Sequence, residues 1–329
     1  MKERYFIVGG AGFIGSHFTD KLLEDSSTGK VTLYDNFVTG REWHYQHHNR
    51  DPRFSVVRAD VKDSKALQAA MAGHDVVIHL ASNADIAKAV ATPDIDFWEG
   101  TFLTNQVVEA MRITGVKRLL YASGSGLYGD LGTVEADEDW GPMIPISTYG
   151  ASKLAGEALI SSYGFMFDMR ACAFRFGNVV GPRQTHGVGF DFVRALSADP
   201  TKLRILGDGS QSKSYIHVFD VIRAVLTAHR KCDDRFQVFN VATGDYLTVK
   251  EIAELTLEIL QLAPEKVRFE FTGGDRGWKG DVPVVRLNTD RIRKLGWKCE
   301  LSSKEALRLS ILAMLEDVKG GRISPQRQG

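Results

Sequence analysis

A tyrosine and a lysine four residues apart, Tyr149 and Lys153, are the side chains of this chain best suited to acid–base chemistry. Residues at this spacing lie on the same face of a helix, one turn apart. A free phenol has a pKa of about 10 and is a poor base at neutral pH. Because a neighbouring ammonium favours the phenolate, the pair is predicted to move protons where tyrosine alone does not. The spacing also occurs by chance, so its weight depends on the surrounding elements.

A glycine-rich turn near the N-terminus is the first of those elements. The apolar run 5–8 is typical of a buried parallel strand, and apolar residues recur at helical spacing over 13–23. Gly9, Gly12 and Gly15 fall between the two. On such a strand-to-helix turn, glycine lets the backbone approach a pyrophosphate at the helix N-terminus. The pattern predicts a dinucleotide site, although a plain glycine-rich turn has the same composition.

Acidic residues close the next two predicted strands. Asp35 ends the strand 30–35, about 20 residues after the last glycine of the turn. At this place a carboxylate is expected to bind the adenosine ribose, and Asp60, in the strand 54–61, could face the adenine. Because a carboxylate repels a 2′-phosphate, the cofactor is predicted to be NAD rather than NADP.

The composition argues against several classes of protein. With 41 basic and 41 acidic residues among 329, no net field favours nucleic acid or an anionic membrane. The cysteines Cys172, Cys232 and Cys299 lack metal-ligand spacing and fit a reducing compartment, and Cys172 is expected in the core. No apolar run approaches the ~18 residues of a membrane span, and the N-terminal segment does not fit a signal peptide. A cytoplasmic protein without a metal centre is expected.

Strand and helix signals alternate through the first half of the chain. Three further strands are predicted, at 75–80, 117–122 and 169–176. Helices are predicted over about 94–114 and around Tyr149. This alternation indicates an α/β fold with a Rossmann-type doubly wound parallel sheet, whose ligands bind at the carboxyl ends of the strands. The second half has the amphipathic helices 249–260 and 303–314 and predicts a smaller mixed α/β substrate-binding lobe.

The predicted domain boundaries follow from this change of pattern. Residues 1–181 form the NAD-binding Rossmann domain, with a return segment at about 215–244. Residues 182–214 and 245–319 form the substrate-binding lobe. The polar end of the chain, residues 320–329, is expected to be a flexible tail.

Short motifs follow one another in order along nearly the whole chain. They are the segments 9–15, 34–37, 59–61 and 77–82, Tyr149 with Lys153, and the segments 175–183, 206–211, 215–220, 239–242 and 275–281. In these motifs the chain resembles the extended short-chain dehydrogenase/reductase family. Within that family it is similar to the nucleotide-sugar 4-epimerases typified by UDP-galactose 4-epimerase.

The resemblance implies a hydride relay on a nucleotide diphosphate sugar, with UDP as the nucleotide. Tyr149 would take the proton of the C4 hydroxyl while the C4 hydride passes to the nicotinamide, and Lys153 would bind the nicotinamide ribose. The 4-keto sugar would then turn and take the hydride back on its other face. The implied cofactor-binding residues are Gly9, Gly12, Phe13, Ile14, Gly15, Asp35, Asn36, Asp60, Val61, Leu80, Ala81, Ser82, Ala122, Ser123, Tyr149 and Lys153. The implied substrate-binding residues are Asn178, Lys213, Tyr215, Arg276 and Asp281.

One departure from the family pattern lies directly beside the expected chemistry. Where relatives carry a Ser or Thr that hydrogen-bonds the reacting C4 hydroxyl, this chain has Gly124. Because glycine has no side-chain donor, Ser123 or Ser125 is expected to act as the catalytic hydroxyl, with Ser125 preferred. The other possibility is that both serines merely serve the turn. A second departure is Gly100, near where relatives carry Asn.

The same segment bears on the alternative functions. The 4,6-dehydratases have Asp-Glu after that Ser or Thr, and the decarboxylases keep a Glu at the second position. This chain has Ser125 and Gly126 there. A dehydratase or decarboxylase is therefore an alternative whose acids are missing. A non-catalytic NAD-binding regulator is an alternative of another class, which Gly124 supports and the intact Tyr149 and Lys153 oppose.

Several other polar residues are assigned no chemistry. His44, His47 and His48 have no Cys or acid at ligand spacing and are interpreted as a solvated loop without a metal. His79 is expected to position its neighbours, and the acidic turn 137–139 is expected to be solvated. A homodimer through the helices 94–114 and 149–163 is implied by the resemblance.

Overall fold

The structure is a computed structural model that describes residues 2–325. Its strands, in chain order, are β1 Glu3–Val8, β2 Thr28–Asp35, β3 Phe54–Arg58, β4 Val76–His79, β5 Arg118–Gly124, β6 Glu135–Ala136, β7 Arg170–Phe176, β8 Asn178–Val180, β9 Lys202–Ile205, β10 Ser212–Lys213, β11 Tyr215–His217, β12 Phe236–Val241, β13 Leu247–Thr248, β14 Arg268–Phe271 and β15 Arg286–Leu287. Its α-helices are α1 Phe13–Glu24, α2 Ser64–Met71, α3 Leu103–Thr114, α4 Thr148–Phe167, α5 Val188–Ala198, α6 Val218–Lys231, α7 Val249–Leu260, α8 Asp290–Lys294 and α9 Ser303–Lys319. Short 3-10 turns occupy Glu42–His44, Gln46–His48, Ile86–Val90, Ser125–Tyr128 and Pro264–Lys266.

Seven of the strands form one parallel sheet in the order β12–β7–β5–β4–β1–β2–β3. The chain winds from β1 towards β3 in one direction and from β4 towards β12 in the other. The strand order therefore reverses between β1 and β4, and their carboxyl ends border the crevice in which such sheets bind ligands. The predicted Rossmann-type doubly wound sheet is confirmed, and β12 adds a seventh strand to the six predicted.

Helices cover both faces of the sheet because its central strands are apolar on both sides. Successive residues of β1 point to opposite faces, so Ile7 and Phe6 enter different cores. The first core includes Phe18 of α1 and Val221 of α6, and the second includes Met71 of α2. All five side chains are fully buried. No helix within residues 2–325 is both long and apolar enough to span a membrane.

A smaller lobe contains α5, α7, α9 and the parallel pair β9–β14. Its core joins Val193, Leu203, Ile252 and Ile311 from these four parts. The two predicted amphipathic helices are both present, and each begins with a capping box that satisfies the first backbone N–H groups. Helix α9 runs to Lys319, beyond the end predicted at 314.

The chain crosses between the sheet and the lobe more than once. Strand β11 pairs with β8, and β12 returns to the edge of the sheet, both within the segment 215–244. At the end of the chain, Ile323 is buried in the core of the lobe and Arg322 forms an ion pair with Asp317. These residues lie in the segment predicted as a tail, of which 326–329 are outside the described residues.

The helix predicted over 94–114 has an irregular start. Phe97–Phe102 is a turn of π-helix, and the α-helix α3 begins only at Leu103. A Cβ added to Gly100 would lie 2.7 Å from the Ser152 hydroxyl of α4. Glycine at this position therefore permits the close approach of the two helices.

Candidate active site

The glycines of the turn between β1 and α1 are required by close backbone contacts. Gly9 has a φ of +79°, and a Cβ there would lie 2.8 Å from the backbone nitrogen of Ala81. A Cβ at Gly15 would lie 2.7 Å from backbone atoms of Gly10. Helix α1 begins after Gly12 with no capping side chain and no acid in its first turn. Its first N–H groups therefore suit an anion, and the turn fits the pyrophosphate of NAD.

Asp35 ends β2 beside this turn. Its carboxylate accepts hydrogen bonds from the backbone N–H of Ala11 at 2.9 Å and of Phe37 at 2.8 Å. Burial raises the pKa of Asp35, and these two hydrogen bonds oppose the rise. Each carboxylate oxygen keeps a further lone pair, which suits a ribose hydroxyl.

The other predicted cofactor residues of this edge lie around the same turn. Asn36 Nδ2 donates to Asp60 Oδ2 at 3.0 Å and ties the loop after β2 to the end of β3. The backbone N–H groups of Leu80 and Ala81 donate to the carbonyl oxygen of Val8 at 2.9 and 3.1 Å. These bonds hold the end of β4 against β1. The apolar members of the set pack into the two cores, namely Phe13, Ile14 and Val61.

Tyr149 and Lys153 lie one turn apart near the start of α4. The hydroxyl of Ser147 caps this helix by accepting the Gly150 N–H at 3.0 Å. Lys153 Nζ donates to the carbonyl oxygen of Ala122, in β5, at 2.8 Å and lies 5.4 Å from the centre of the Tyr149 ring. The structure therefore brings the pair together at the carboxyl end of the sheet.

The electrostatics of the pair differ from the expectation that lysine favours the phenolate. Burial raises the pKa of Tyr149 to about 12, the charge of Asp96 adds to the rise, and a hydrogen bond with Ser82 opposes it. Burial lowers the pKa of Lys153 to about 8, and the carboxylates of Asp96 and Glu157 oppose that fall. The pocket itself thus keeps Tyr149 protonated at neutral pH, so ionisation requires additional positive charge.

Asp96 is a buried acid that sequence reasoning missed. It is 1% exposed and accepts hydrogen bonds from Asn83 Nδ2 at 2.9 Å and from Thr148 Oγ1 at 2.6 Å. It links the loop after β4 to the first residue of α4. In the sequence, Asp96 precedes two aromatic residues, a pattern that is equally typical of an exposed Asp at the start of a helix.

Gly124, the last residue of β5, leaves an opening beside Tyr149. A Cβ added to Gly124 would lie 3.7 Å from Tyr149 Cε1 and 3.8 Å from its hydroxyl oxygen, both ordinary contact distances. A serine at this position would therefore fit without strain, with its hydroxyl near the phenol. This geometry agrees with the alignment of Gly124 to the Ser or Thr of relatives.

The three serines near this opening have different surroundings. Ser123 is 4% exposed, and its hydroxyl donates to Glu157 Oε1 at 2.6 Å. Ser125 is half-buried at the start of the 3-10 turn after β5. Ser82, predicted only as a cofactor residue, lies beside Tyr149 and lowers the pKa of its phenol.

Ser123 belongs to a buried polar network that also escaped sequence reasoning. Arg175 of β7 forms two parallel hydrogen bonds with Glu157 of α4, Nε to Oε1 at 3.1 Å and Nη2 to Oε2 at 2.7 Å. Arg175 Nη1 donates to the Tyr128 hydroxyl at 2.7 Å, and that hydroxyl donates to Asn240 Oδ1 at 2.8 Å. The network fixes α4, and with it Tyr149, against the sheet.

The predicted substrate cations are each paired with carboxylates. Lys213 Nζ donates to Asp281 Oδ1 at 2.6 Å. Arg276 donates to Asp130 Oδ2 and to the carbonyl oxygen of Asp281, both at 2.6 Å. Asp281 is 3% exposed, and its other carboxylate oxygen accepts the Gly277 N–H at 3.0 Å. Asp281 therefore shapes the loop that carries Arg276, and Asp130, which was not predicted, joins that loop to the segment after β5.

Asn178 and Tyr215 are paired residues of β8 and β11. Asn178 is exposed, and its Nδ2 donates to the carbonyl oxygen of Ser214 at 3.2 Å. Tyr215 is buried in the core of the lobe, and burial raises its pKa. Of the two, Asn178 is the side chain accessible to a ligand.

Two interpretations of polar residues as solvated are wrong. His44 is fully buried, with Nδ1 2.8 Å from the carbonyl oxygen of Ala11. Glu138 is buried as well, and it accepts the Asn240 N–H at 2.8 Å. In both cases a backbone group deep in the fold takes the side chain as its partner, which a local sequence pattern does not reveal. His79 is fully buried, with Nε2 3.2 Å from Thr104 Oγ1.

The glycine turn, Asp35 and the Tyr149–Lys153 pair, at one edge of a doubly wound sheet, define a dinucleotide-dependent enzyme site. Comparisons with known proteins agree with this class. The profile of the NAD dependent epimerase/dehydratase family matches residues 5–242. The chain belongs to this family, and its cofactor is NAD.

Individual relatives carry several related activities. A UDP-glucose 4-epimerase of Mycolicibacterium smegmatis is 32% identical over 312 residues, which cover 92% of this chain and 96% of that protein. A UDP-galactose 4-epimerase of known crystal structure is 34% identical, with a TM-score of 0.83 over 96% of this chain and 99% of that one. UDP-glucuronic acid decarboxylase 2 of Arabidopsis thaliana is 28% identical, over 99% of this chain and 70% of that protein.

Proposed function

We propose that the protein is an NAD-dependent epimerase acting at C4 of a UDP-sugar of the UDP-glucose/UDP-galactose type. The proposal rests on the Tyr149–Lys153 pair beside the glycine turn. It rests also on the two residues after Gly124, which are Ser125 and Gly126 rather than acids. A dehydratase or decarboxylase of this family needs an acid in that place. The two epimerase relatives support the same reaction, and the decarboxylase relative defines the alternative to be tested.

Product analysis tests this function directly. The purified protein is incubated with UDP-glucose, UDP-galactose and their N-acetyl and uronic acid analogues, without added NAD, and the products are separated by chromatography and weighed. We expect a product of unchanged mass and new retention time. Loss of water or of carbon dioxide contradicts the proposal in favour of a dehydratase or decarboxylase. No conversion of any of these sugars contradicts it in favour of a binding protein.

Tyr149 and Lys153 act on the C4 hydroxyl in this proposal. NAD, when bound, supplies the hydride acceptor and the returning hydride. The Tyr149 hydroxyl moves the proton of the C4 oxygen in both directions. Lys153, anchored by its bond to Ala122, has two further N–H groups with which to hold the nicotinamide ribose. Because burial and the charge of Asp96 both raise the pKa of Tyr149, the phenolate requires positive charge close to the ring, and the ammonium of Lys153, 5.4 Å from the ring centre, is proposed to supply part of it.

The diphosphate of the substrate is proposed to bind Arg276 and Lys213. Guanidinium binds phosphate through two parallel hydrogen bonds, whereas lysine acts as a point charge. Arg276 at present donates to Asp130, so the diphosphate would replace a carboxylate rather than enter an unpaired site. Lys213 keeps its bond to the buried Asp281 and is thereby held in place. Holding the diphosphate while the sugar remains loose is what lets the 4-keto sugar present either face.

Ser82 is proposed to supply the hydroxyl that Gly124 lacks. Ser123 is committed to Glu157, and Ser82 lies beside Tyr149, where it lowers the pKa of the phenol. A hydrogen bond to a charged group is worth about 1.5–3 kcal/mol. Ser82→Ala is therefore expected to lower kcat about 10- to 100-fold and to move the rise of kcat to higher pH, because this hydrogen bond lowers the pKa of Tyr149. Steady-state kinetics over a range of pH measure both effects.

The matched control restores a hydroxyl near Tyr149 at position 124 instead of position 82. Gly124→Ser has room for its side chain, so the double variant Ser82→Ala with Gly124→Ser is expected to regain most of the lost kcat. Ser82→Thr keeps a hydroxyl and is expected to remain active. Bound NAD is measured in each variant because Ser82 is also a predicted cofactor residue. An unchanged kcat and pH profile in Ser82→Ala would assign it no catalytic part.

A homodimer is proposed to form through α3, α4 and the π-helical turn before α3. Large apolar side chains there are 45–72% exposed, namely Phe97, Trp98, Ile113, Phe165 and Met166. Light scattering is expected to give twice the chain mass of 36.4 kDa. Trp98→Glu is expected to give a monomer, because it places a charge in the contact, whereas Phe271→Glu, at an exposed apolar residue of the lobe, leaves the dimer. A monomeric wild-type protein contradicts the proposal.

A further inference from the structure

A cluster of metal-ligating side chains lies on the flank of α1, away from the Tyr149–Lys153 pair. Asp20 belongs to α1, and His47 and His48 belong to the 3-10 turn Gln46–His48. His47 Nε2 lies 2.9 Å and His48 Nε2 lies 2.6 Å from the same oxygen, Asp20 Oδ1. One ligand atom of each residue lies within 4.8 Å of the others. Two imidazoles and a carboxylate thus converge on one point from two separate elements.

A fourth side chain, His17, independently points to a bound cation. His17 is buried, and its Nε2 lies 2.9 Å from the carbonyl oxygen of Pro182. A carbonyl only accepts, so Nε2 carries the ring proton. The buried Nδ1 of His17 has no hydrogen-bond partner within residues 2–325 and lies 3.7 Å from Asp20 Oδ2. A third imidazole nitrogen without a hydrogen-bond partner among the described residues therefore faces the carboxylate that His47 and His48 contact.

Arg183 orients the carboxylate of Asp20, and its positive charge weakens the attraction of the site for a cation. Arg183 Nη2 donates to Asp20 Oδ2 at 2.7 Å, which orients Oδ1 towards the two histidines as outer-shell partners of metal ligands do. Its charge opposes a cation. The carboxylates of Glu316 and Asp317 line a neighbouring cavity of about 370 Å³ together with His47 and Arg183, but they are paired with Lys319 and Arg322, so the charge of Arg183 is offset mainly by Asp20 itself.

We propose that Asp20, His47 and His48 bind a first-row divalent cation, for which Zn²⁺ is the best match. Zn²⁺ takes imidazole nitrogen and carboxylate oxygen at about 2.0–2.2 Å, so tetrahedral ligand atoms lie about 3.3 Å apart. The two imidazole nitrogens, now 2.9 and 2.6 Å from Asp20 Oδ1, would therefore move about 0.4 and about 0.7 Å away from it. His47 is half-exposed, which leaves the remaining coordination position to water or to His17. In the competing arrangement no cation binds, and Asp20, His47 and His48 are joined by hydrogen bonds alone.

The cation would fasten the segment 42–48 to α1. The same segment carries His44, whose Nδ1 donates to the carbonyl oxygen of Ala11 in the glycine turn. The loop after β2, with Asp35 and Asn36, leads into this segment. The site would therefore stabilise the positions of the glycine turn and of the loop after β2, without contact to the reacting atoms. Sequence reasoning found no acid near the histidines because Asp20 lies 27 residues before His47.

Zinc binding to the full chain tests the proposal without reference to turnover. The protein is prepared without an affinity tag, stripped with chelator, and titrated with Zn²⁺ by calorimetry and with Co²⁺ by visible absorption. We expect one equivalent to bind, with the Co²⁺ bands of nitrogen and oxygen ligands, and a rise in Tm on adding Zn²⁺. Loss of one direct ligand in His47→Ala or His48→Ala should weaken binding at least about 10-fold. His186→Ala, at an exposed histidine outside the cluster, is the matched control.

The variants distinguish a metal site from a cluster held together by shared protons alone. His47→Ala removes only contacts of a half-exposed side chain, so its fold should be unaffected, and circular dichroism checks this. No stoichiometric binding to wild-type protein overturns the proposal. Equal affinity in wild type, His47→Ala and His48→Ala overturns it too, because the cation would then bind elsewhere. An inactive wild-type enzyme that still binds Zn²⁺ would contradict the proposed epimerase and leave this site standing.

Discussion

Tyr149→Phe is expected to lower kcat about 10²- to 10⁴-fold, the range for loss of a positioned acid–base group. The substitution removes one hydroxyl and keeps the ring that lies 5.4 Å from Lys153 Nζ. Substrate affinity and bound NAD should change little, because neither the glycine turn nor the Arg276 loop loses a contact. Chromatographic assay of the product under saturating UDP-sugar measures kcat, and calorimetry with UDP measures binding.

A second tyrosine of the same helix provides the control. Tyr163 of α4 donates its hydroxyl to Glu109 at 3.1 Å, outside the crevice, and Tyr163→Phe is expected to keep wild-type kcat. If Tyr149→Phe turns over at the wild-type rate, the phenol does not carry the proton and the proposed chemistry is wrong. If both variants lose activity together, the effect comes from α4 as a whole.

The sheet and the cofactor edge could be predicted from sequence because each depends on local patterns. The apolar run 5–8 and the spacing of Gly9, Gly12 and Gly15 describe one continuous strand, turn and helix. Asp35 ends the next strand, so its position relative to the turn follows from parallel winding. Tyr149 and Lys153 share a helix face by spacing alone. In all these cases the residues that act together are near in sequence or at equivalent strand ends.

The partners of these residues were not predictable because they are distant in sequence. Asp96 meets Thr148, Asp130 meets Arg276, and Asp20 meets His48, each pair far apart along the chain. The spacing of residues predicts the helix or strand face on which a side chain lies, but not which distant residue packs against it. The same distance in sequence hides what sets the pKa of Tyr149. The sequence shows the neighbouring Lys153 and hides the burial and the charge of Asp96, which raise the pKa of Tyr149.

Glu157→Ala is expected to lower the free energy of unfolding by about 3–5 kcal/mol, the cost of breaking a buried ion pair by removing one partner. The Arg175 and Glu157 side chains are only 3% and 5% exposed. The variant leaves the Arg175 guanidinium buried without its counter-charge, and the Ser123 hydroxyl loses its acceptor. Denaturant titration followed by fluorescence and circular dichroism measures the change. Glu157→Gln keeps the shape and some hydrogen bonds, so its loss should be smaller.

Comparison with an exposed pair decides whether burial is the reason. Glu258 of α7 bonds Arg308 of α9 at 2.8 Å, with side chains 59% and 39% exposed. Glu258→Ala is expected to cost about 0–1 kcal/mol, because water solvates both partners once they separate. An equal loss of unfolding free energy in the two variants would mean that the Arg175–Glu157 pair stabilises the fold no more than a surface ion pair does. A large loss in Glu157→Ala alone would instead show that the stability of the fold depends on the same network that holds Tyr149 and Lys153 against the sheet.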